Sequence, residues 1–288
     1  MKLRRLIVNG DDFGFSREVN EAVILAFRRG VLTSTSLMVS GEAFEDAVAL
    51  AKENPGLAVG LHVTCANGSA VLPTCAIPHV TGKDGNFPAD PALAGLRYFF
   101  CRSAREELFN EIYAQFEKFA GSGLNFSHVD SHCHMHVHPV VLDAIIEIAE
   151  AYGIKRIRVP ADNFFSALPF LHSPVKASGY ALVFKLLTQR MKRILRKRGF
   201  IFPQSVYGNL LTGKMSVEYV LSLLDRLPND SAELYLHPAL PCHSLDEVDA
   251  QRLQRFREFS ILIQPEVRFK IARHGVALST YSDLEKDL

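Results

Sequence analysis

The run His128-Val129-Asp130-Ser131-His132-Cys133-His134-Met135-His136-Val137-His138 carries five of the chain's eleven histidines in eleven consecutive residues. Its alternation is strict. His128, Asp130, His132, His134, His136 and His138 occupy even positions, and Val129, Cys133, Met135 and Val137 odd ones, with small Ser131 among them. Successive side chains of an extended chain point to opposite faces, so a strand here presents imidazoles and a carboxylate on one side and mostly apolar groups on the other. Imidazole and carboxylate are ligands of divalent transition metals. The bland alternative is a set of satisfied core histidines; an expression tag is excluded because the run is internal and interrupted.

The same residue types close other short apolar runs. Leu6–Asn9 reads as a buried strand with Asp11-Asp12 at its C-terminal end, and Ala58–Val63 as a second with His62 near its end. Glu233–Pro238 reads as a late strand that closes on His237. Between them lie helices. Ser16 caps one with Val19, Ala22, Val23 and Ala26 at helical spacing and Gly30 at its end. Others cover Phe44–Glu53, Ser103–Ala120 and, opened by Pro139, Val140–Tyr152. Residues Thr33–Val39 are β-prone, Ile154–Val159 reads as a strand, and 66–97 reads as a long loop rich in Pro, Gly, Ala and Asn. Alternating strands and helices imply an α/β fold with a parallel sheet, open or closed as a barrel. In such folds the site lies at the strand C-termini, where Asp11/Asp12, His62 and Asp130/His132 all fall.

Residues 161–210 break this rhythm. Phe164, Phe165, Leu168, Phe170 and Leu171 are apolar in a loop-like context, and a helix follows from Tyr180 to Arg198. The stretch Arg190–Arg198 holds six basic residues in nine and no acid. A solvated helix face and a basic amphipathic surface for an anionic membrane both fit it. Ser216–Leu227, Asp249–Phe259 and Pro265–His274 read as further helices.

With 288 residues, 48% hydrophobic and 22% charged, the chain suits one large α/β domain or two small ones. A net charge of +1 gives no global signal for nucleic acid. Five cysteines (65, 75, 101, 133, 242) form no CxxC pair, which argues for a reducing compartment. The N-terminal apolar run is too short for a signal peptide, and no stretch is long enough to span a bilayer. A cytoplasmic location is expected, with peripheral contact at the inner membrane face through 164–198 as an extension of it.

A metal hydrolase needs three protein ligands, an open position for water, and separate acid and base groups. One of Asp11 and Asp12 can bind metal while its neighbour does something else, because adjacent strand residues point to opposite sides. His62 and His132 complete an Asp-His-His set, Asp130 or His128 can orient a ligand, and His237 can protonate a leaving group. His134, His136 and Arg158 are further candidates for orienting ligands or touching substrate. The donor set suits Zn²⁺ best, with Mg²⁺, Mn²⁺ or Co²⁺ also acceptable. The Asp12-Phe13-Gly14 triplet of protein kinases stands here without a Gly-rich loop before it, and no GxSxG elbow exists for a serine hydrolase.

Four motifs together resemble the YdjC family of carbohydrate deacetylases: Asn9-Gly10-Asp11-Asp12-Phe13-Gly14, Gly60-Leu61-His62, His128 to His136, and Leu236-His237-Pro238-Ala239. Gly10 stands where that pattern leads one to expect alanine. The resemblance implies a TIM-like (β/α) barrel spanning 1–288 as one domain, with an inserted helical and loop segment at about 161–210. It implies metal-dependent removal of acetyl from N-acetylated sugars, with Asp12, His62 and His132 as metal ligands, Asp11 as base and His237 near the leaving group. The insertion, Gly213-Lys214-Met215-Ser216 and the Ile261–Val276 tail look most like the hopanoid-biosynthesis (HpnK) branch. That branch implies an N-acetylglucosaminyl hopanoid as substrate, with a soluble chitooligosaccharide as the alternative. A PHP-type metal-dependent phosphatase is a reading from another class, although such enzymes usually carry an HxH pair near the N-terminus. Homo-oligomerisation is left open.

Overall fold

A computed structural model describes residues 4–162, 164–171, 174–228, 230–241 and 250–287. Cys242 and Asp249, the expected start of a helix, lie outside the described residues. Seven strands form one parallel sheet: β1 (Arg5–Phe13), β2 (Ser34–Leu37), β3 (Ala58–Val63), β4 (Val129–Ser131), β5 (Ser205–Tyr207), β6 (Ser231–Leu236) and β7 (Ala277–Ser279). The strand order is β4-β3-β2-β1-β6-β5, with β7 beside the first half of β1. Parallel bridges Val129↔Ile157 and Arg156↔Ile201 carry the ladder from β4 round to the segment that enters β5. The sheet therefore curls into a ring, as a TIM-like barrel does.

Ten helices are described: α1 (Arg17–Arg29), α2 (Phe44–Glu53), α3 (Pro91–Phe100), α4 (Arg102–Gly121), α5 (Pro139–Ala151), α6 (Phe164–Ala167), α7 (Pro174–Lys197), α8 (Val217–Asp225), α9 (Ala250–Ile263) and α10 (Pro265–Arg273). Ser16 caps α1 by accepting from the Val19 N–H, and Asp90 caps α3 by accepting from Ala92. Side chains that leave the strands outward, such as Val8, Leu61, Val63, Leu234 and Leu236, join Val23, Leu108, Ile112 and Phe116 of the helices in one continuous core. Each such side chain contributes about 1.5–3 kcal/mol on burial. Within the ring the composition reverses. Asn9, Asp11, Asp130, Arg158 and Glu233 are buried and bonded to one another across the axis. Below them a small cluster of Ile7, Tyr281 and Leu284 closes the ring's other end.

The sequence expectations need four corrections. The histidine run is a strand only over Val129–Ser131; His132–Val137 is a turn, with Cys133 and His134 at φ 54° and 52°. Two successive left-handed residues reverse the chain, so the even-numbered imidazoles do not share one face. Residues 91–97 belong to α3 and not to a loop, because Asp90 and Pro91 start a helix there. The expected strand Ile154–Val159 is reduced to bridges at Arg156 and Ile157. The end of the expected insertion, 201–207, enters the sheet as β5. Of α4, the sequence showed the apolar stripe but not its buried polar groups. The Glu111 carboxylate accepts from Val71 and Leu72, and Gln115 bonds both N–H and C=O of Thr64. These bonds fix the loop that leaves β3 beside the site.

Candidate metal centre and active site

Asp11 and Asp12 are consecutive, yet both carboxylates reach the same cavity. The register of β1 against β2 shifts between Gly10 and Phe13, and Asp12 has φ 66°. A bulge of this kind re-aims one side chain, and a non-glycine residue held in the left-handed region is a mark of functional constraint. The expectation that the two point to opposite sides is thus corrected by the bulge. Gly10 also has a physical reason. A methyl group there would lie 2.9 Å from Leu32 Cδ1 and 3.2 Å from Val23 Cγ2.

Asp12 Oδ1 lies 2.9 Å from His132 Nδ1 and 3.4 Å from His62 Nε2. The ligand-type atoms of Asp12, His62 and His132 all lie within 4.8 Å of one another. His62 Nδ1 faces Asp130 Oδ1 at 2.7 Å. A carboxylate only accepts, so Nδ1 donates there and Nε2 is turned toward Asp12, the arrangement that orients metal-binding histidines. Burial opposes the charged form of both imidazoles, but Asp130 and Asp12 override it, raising His62 to about 9 and His132 to about 10. Burial likewise opposes ionisation of Asp12, yet His132, Arg255 and His62 hold its carboxyl well below the usual range. The pocket is therefore built to hold positive charge against Asp12. A divalent cation fits this donor set, taking the place of those protons.

Asp11 stands beside this trio: its ligand-type oxygen lies within 4.8 Å of the ligand-type atoms of His62 and Asp130, a second acidic group that shares His62, and its carboxylate is held by Arg158. Arg158 Nη1 and Nη2 donate to its two oxygens at 2.7 and 2.8 Å, and Asn9 Nδ2 donates to Oδ1 at 2.7 Å. Arg158 is fully buried and also pairs with Asp130 Oδ2 at 2.7 Å and Glu233 at 2.8 Å. One guanidinium thus serves three carboxylates. Burial pushes the Glu233 carboxyl up, against the pull of Arg158, and Tyr281 donates to its other oxygen at 2.6 Å.

His237 follows the end of β6, the strand paired with β1, and lines the same cavity. Its backbone N–H donates to Glu258 Oε2 at 2.6 Å, and its ring Nδ1 lies 3.5 Å from the same oxygen. Burial opposes its charged form, but the Glu258 carboxylate, with Asp12 and Asp11 behind it, lifts the imidazole above its ordinary value. Arg255, one turn before Glu258 on α9, donates through Nη2 to Asp12 Oδ2 at 2.6 Å.

The other histidines of the run go elsewhere. His128 stacks on Tyr281 with ring centres 4.1 Å apart and meets Ser36 Oγ at 3.2 Å. Burial pushes it down to about 3. It occupies the space above Gly60, where any Cβ would lie 2.4 Å from its ring. His134 Nε2 meets the Tyr235 hydroxyl at 2.7 Å, and His136 Nδ1 meets Ser131 Oγ at 2.6 Å. His132 and His134 both line the cavity.

Glu233, Tyr235, Glu258 and Arg255 were not among the sequence candidates. For the first two a signal existed: Ser231, Glu233, Tyr235 and His237 alternate with Ala232, Leu234 and Leu236, the same period-two pattern that marks His128–His132. Glu258 and Arg255 lie on a helix far along the chain, and nothing local distinguishes them from surface charges. The cavity holding all these groups has a volume of about 1210 Å³ and an outer wall that includes Leu96, Phe99, Phe100, Met135, Phe184 and Leu187.

A family model described as "YdjC-like protein" matches residues 5–273. Among curated proteins, the carbohydrate deacetylase of Brevibacillus brevis is 33% identical over 281 residues, covering 97% of this chain and 99% of that protein. The carbohydrate deacetylase of Geobacillus stearothermophilus is 32% identical, covering 98% and 99%. Among solved structures, a putative cellobiose-phosphate cleavage protein from Enterococcus faecalis superposes with a TM-score of 0.77 at 26% identity, covering 98% and 99%.

Proposed function

The chain belongs to the YdjC-like protein family, and from that membership we propose that it is a metal-dependent carbohydrate N-deacetylase, acting on an N-acetylglucosamine-type sugar. The observation that carries this reading is the meeting, in one cavity, of the Asp12–His62–His132 donor set with Asp11 and His237. The curated relatives named carbohydrate deacetylases support it over almost their whole length.

A divalent ion held by Asp12, His62 and His132, with Zn²⁺ the best match to the donors, would supply Lewis acidity toward the amide carbonyl. The chain's own groups do the rest. Asp11 accepts the proton of the attacking water. Arg158 fixes its carboxylate in place, and because that one cation is shared with Asp130 and Glu233 it leaves net negative charge on the three. His237, whose charged form Glu258 favours, donates to the leaving amine nitrogen. Asp130 and Arg255 hold His62 and Asp12 in position.

The finer reading is a glycolipid substrate, an N-acetylglucosaminyl hopanoid, in preference to a soluble chitooligosaccharide. The cavity exceeds the ~300–1,000 Å³ usual for a small ligand, and its outer wall is apolar where a sugar alone needs polar partners. Acetate release measured on an N-acetylglucosaminyl lipid and on N,N′-diacetylchitobiose tests it, with turnover expected to be higher on the lipid. Equal or greater turnover on the disaccharide overturns the lipid reading, and release of phosphate from phosphomonoesters without acetate release overturns both. His132→Ala should lose bound metal and activity together; full metal content in that variant overturns the ligand assignment.

A further inference from the structure

Two helices stand at the mouth of the cavity, and both expose large apolar side chains. On α3, Leu93, Leu96 and Phe99 are about half or more exposed, and Phe100 is 77% exposed. On α7, Leu182, Val183 and Leu186 are exposed to a similar degree. Neighbouring residues of the same two helices, Gly95 on α3 and Phe184 and Leu187 on α7, line the cavity itself. The apolar lip is thus continuous with the cavity wall. Folded chains leave single apolar residues at the surface freely, but a cluster of this size marks a binding surface.

Charge points to what covers it. Between Asp162 and Glu218 the sequence carries nine lysines and arginines and no acidic residue, in a chain whose net charge is only +1. On α7 the exposed face turns from apolar to basic within about two turns. Leu182 and Leu186 are followed along it by Arg190, Arg193, Arg196 and Lys197, all exposed. An apolar tip followed by a basic stem matches a surface that is greasy at depth and anionic above. Among the described residues no helix is long and apolar enough to cross a membrane, so contact is peripheral. A second copy of the chain is a poor occupant. A two-fold interface centred on this lip would bring the basic stems of two α7 helices together.

We propose that α3 and α7 form a docking lip for an anionic lipid bilayer, opening the cavity directly onto the membrane so that a lipid-linked sugar enters without crossing water. The proposal rests on the glycolipid reading only for what enters the cavity; docking itself needs no substrate.

The chain has no tryptophan, which permits a clean test. Phe100→Trp and Leu186→Trp each place one reporter on the lip, and Phe269→Trp, on an exposed site of α10 outside the cavity, places one elsewhere. Vesicles of phosphatidylcholine mixed with phosphatidylglycerol should shift the emission of both lip reporters to the blue and leave the α10 reporter unmoved. Phosphatidylcholine alone should move none of the three reporters, and high salt should reverse the shift. Replacing Arg193, Arg196 and Lys197 by Gln should weaken vesicle sedimentation at least tenfold, since each basic residue near an anionic surface is worth about fivefold. The same variant should release acetate from N,N′-diacetylchitobiose as the parent does, which separates loss of docking from loss of catalysis. No shift on anionic vesicles, an equal shift at the α10 reporter, or a lip shift that grows with protein concentration in the absence of vesicles each overturns the proposal, the last by making the lip a contact between copies.

Discussion

The barrel axis and the α3–α7 lip treat charge in opposite ways. On the axis the fully buried guanidinium of Arg158 is enclosed by Asp11, Asp130 and Glu233, and most polar groups are spoken for by neighbours of fixed geometry. On the α7 side of the lip the charges are all of one sign, mostly exposed, and set beside exposed leucine. Buried ion pairs are sensitive to loss of one partner because the other is left uncompensated, whereas exposed charges contribute little to stability. The axis therefore carries the precision that bond-breaking needs, and the lip is free to serve an external surface.

The widest expected gap between the two regions lies in catalysis. Asp11→Asn should keep its metal, because Asp11 is not in the Asp12–His62–His132 set, yet lower kcat on an N-acetylated sugar by about 10²–10⁴-fold, the usual size of an acid–base contribution. Near-normal turnover with metal in place would reduce Asp11 to a partner of Arg158. Next comes stability. Arg158→Met strands three buried carboxylates and should cost about 3–5 kcal/mol in urea unfolding; a loss below about 1 kcal/mol would break the picture of a coupled axis.

Glu258→Gln should act more gently, through pH. Glu258 raises the His237 pKa, and a general acid is lost as pH rises through its pKa. Without the carboxylate that pKa falls, so the alkaline limb of the kcat/KM profile should move to lower pH while the acid limb stays put. An unmoved alkaline limb would take the acid role from His237. The smallest effect belongs to the lip: replacing Arg193, Arg196 and Lys197 by Gln should change unfolding free energy by no more than about 0.5 kcal/mol. A larger loss would show that α7 is structural after all.

How much of this was legible depended on whether the information is local. The strand ends at Asp11/Asp12, His62 and His237 and the helices that follow them are written in short apolar runs, caps and glycines; the α/β alternation left the parallel sheet open or closed, and the ring was implied by the family resemblance. The candidate ligands stand together because strand C-termini gather at one edge of such a sheet. What period and composition could not supply was the bulge at Asp12, which depends on β1 pairing with two different neighbours, or the left-handed pair Cys133–His134, where the histidine spacing suggested a continuing strand. Glu258 and Arg255 were illegible for a related reason. They reach His237 and Asp12 only through tertiary packing of α9, and on a helical wheel they look like any solvated charge.

The β1 ladder has a consequence for how the chain reaches this structure. The first strand has three partners, and two of them, β6 and β7, come from the last quarter of the sequence; Thr33, just before β2, bonds Ser279, 246 positions later. Contacts of such separation are slow to form because the intervening chain must be ordered first. During synthesis, therefore, β1 with its paired aspartates leaves the ribosome long before anything can cover it on that side, and the ring is sealed beneath Glu233 only when Tyr281 arrives. Emergence of residues 277–281, more than any local step, sets the moment at which the acid–base groups acquire their dry surroundings, and nascent chains halted before residue 277 should remain open to protease within β1.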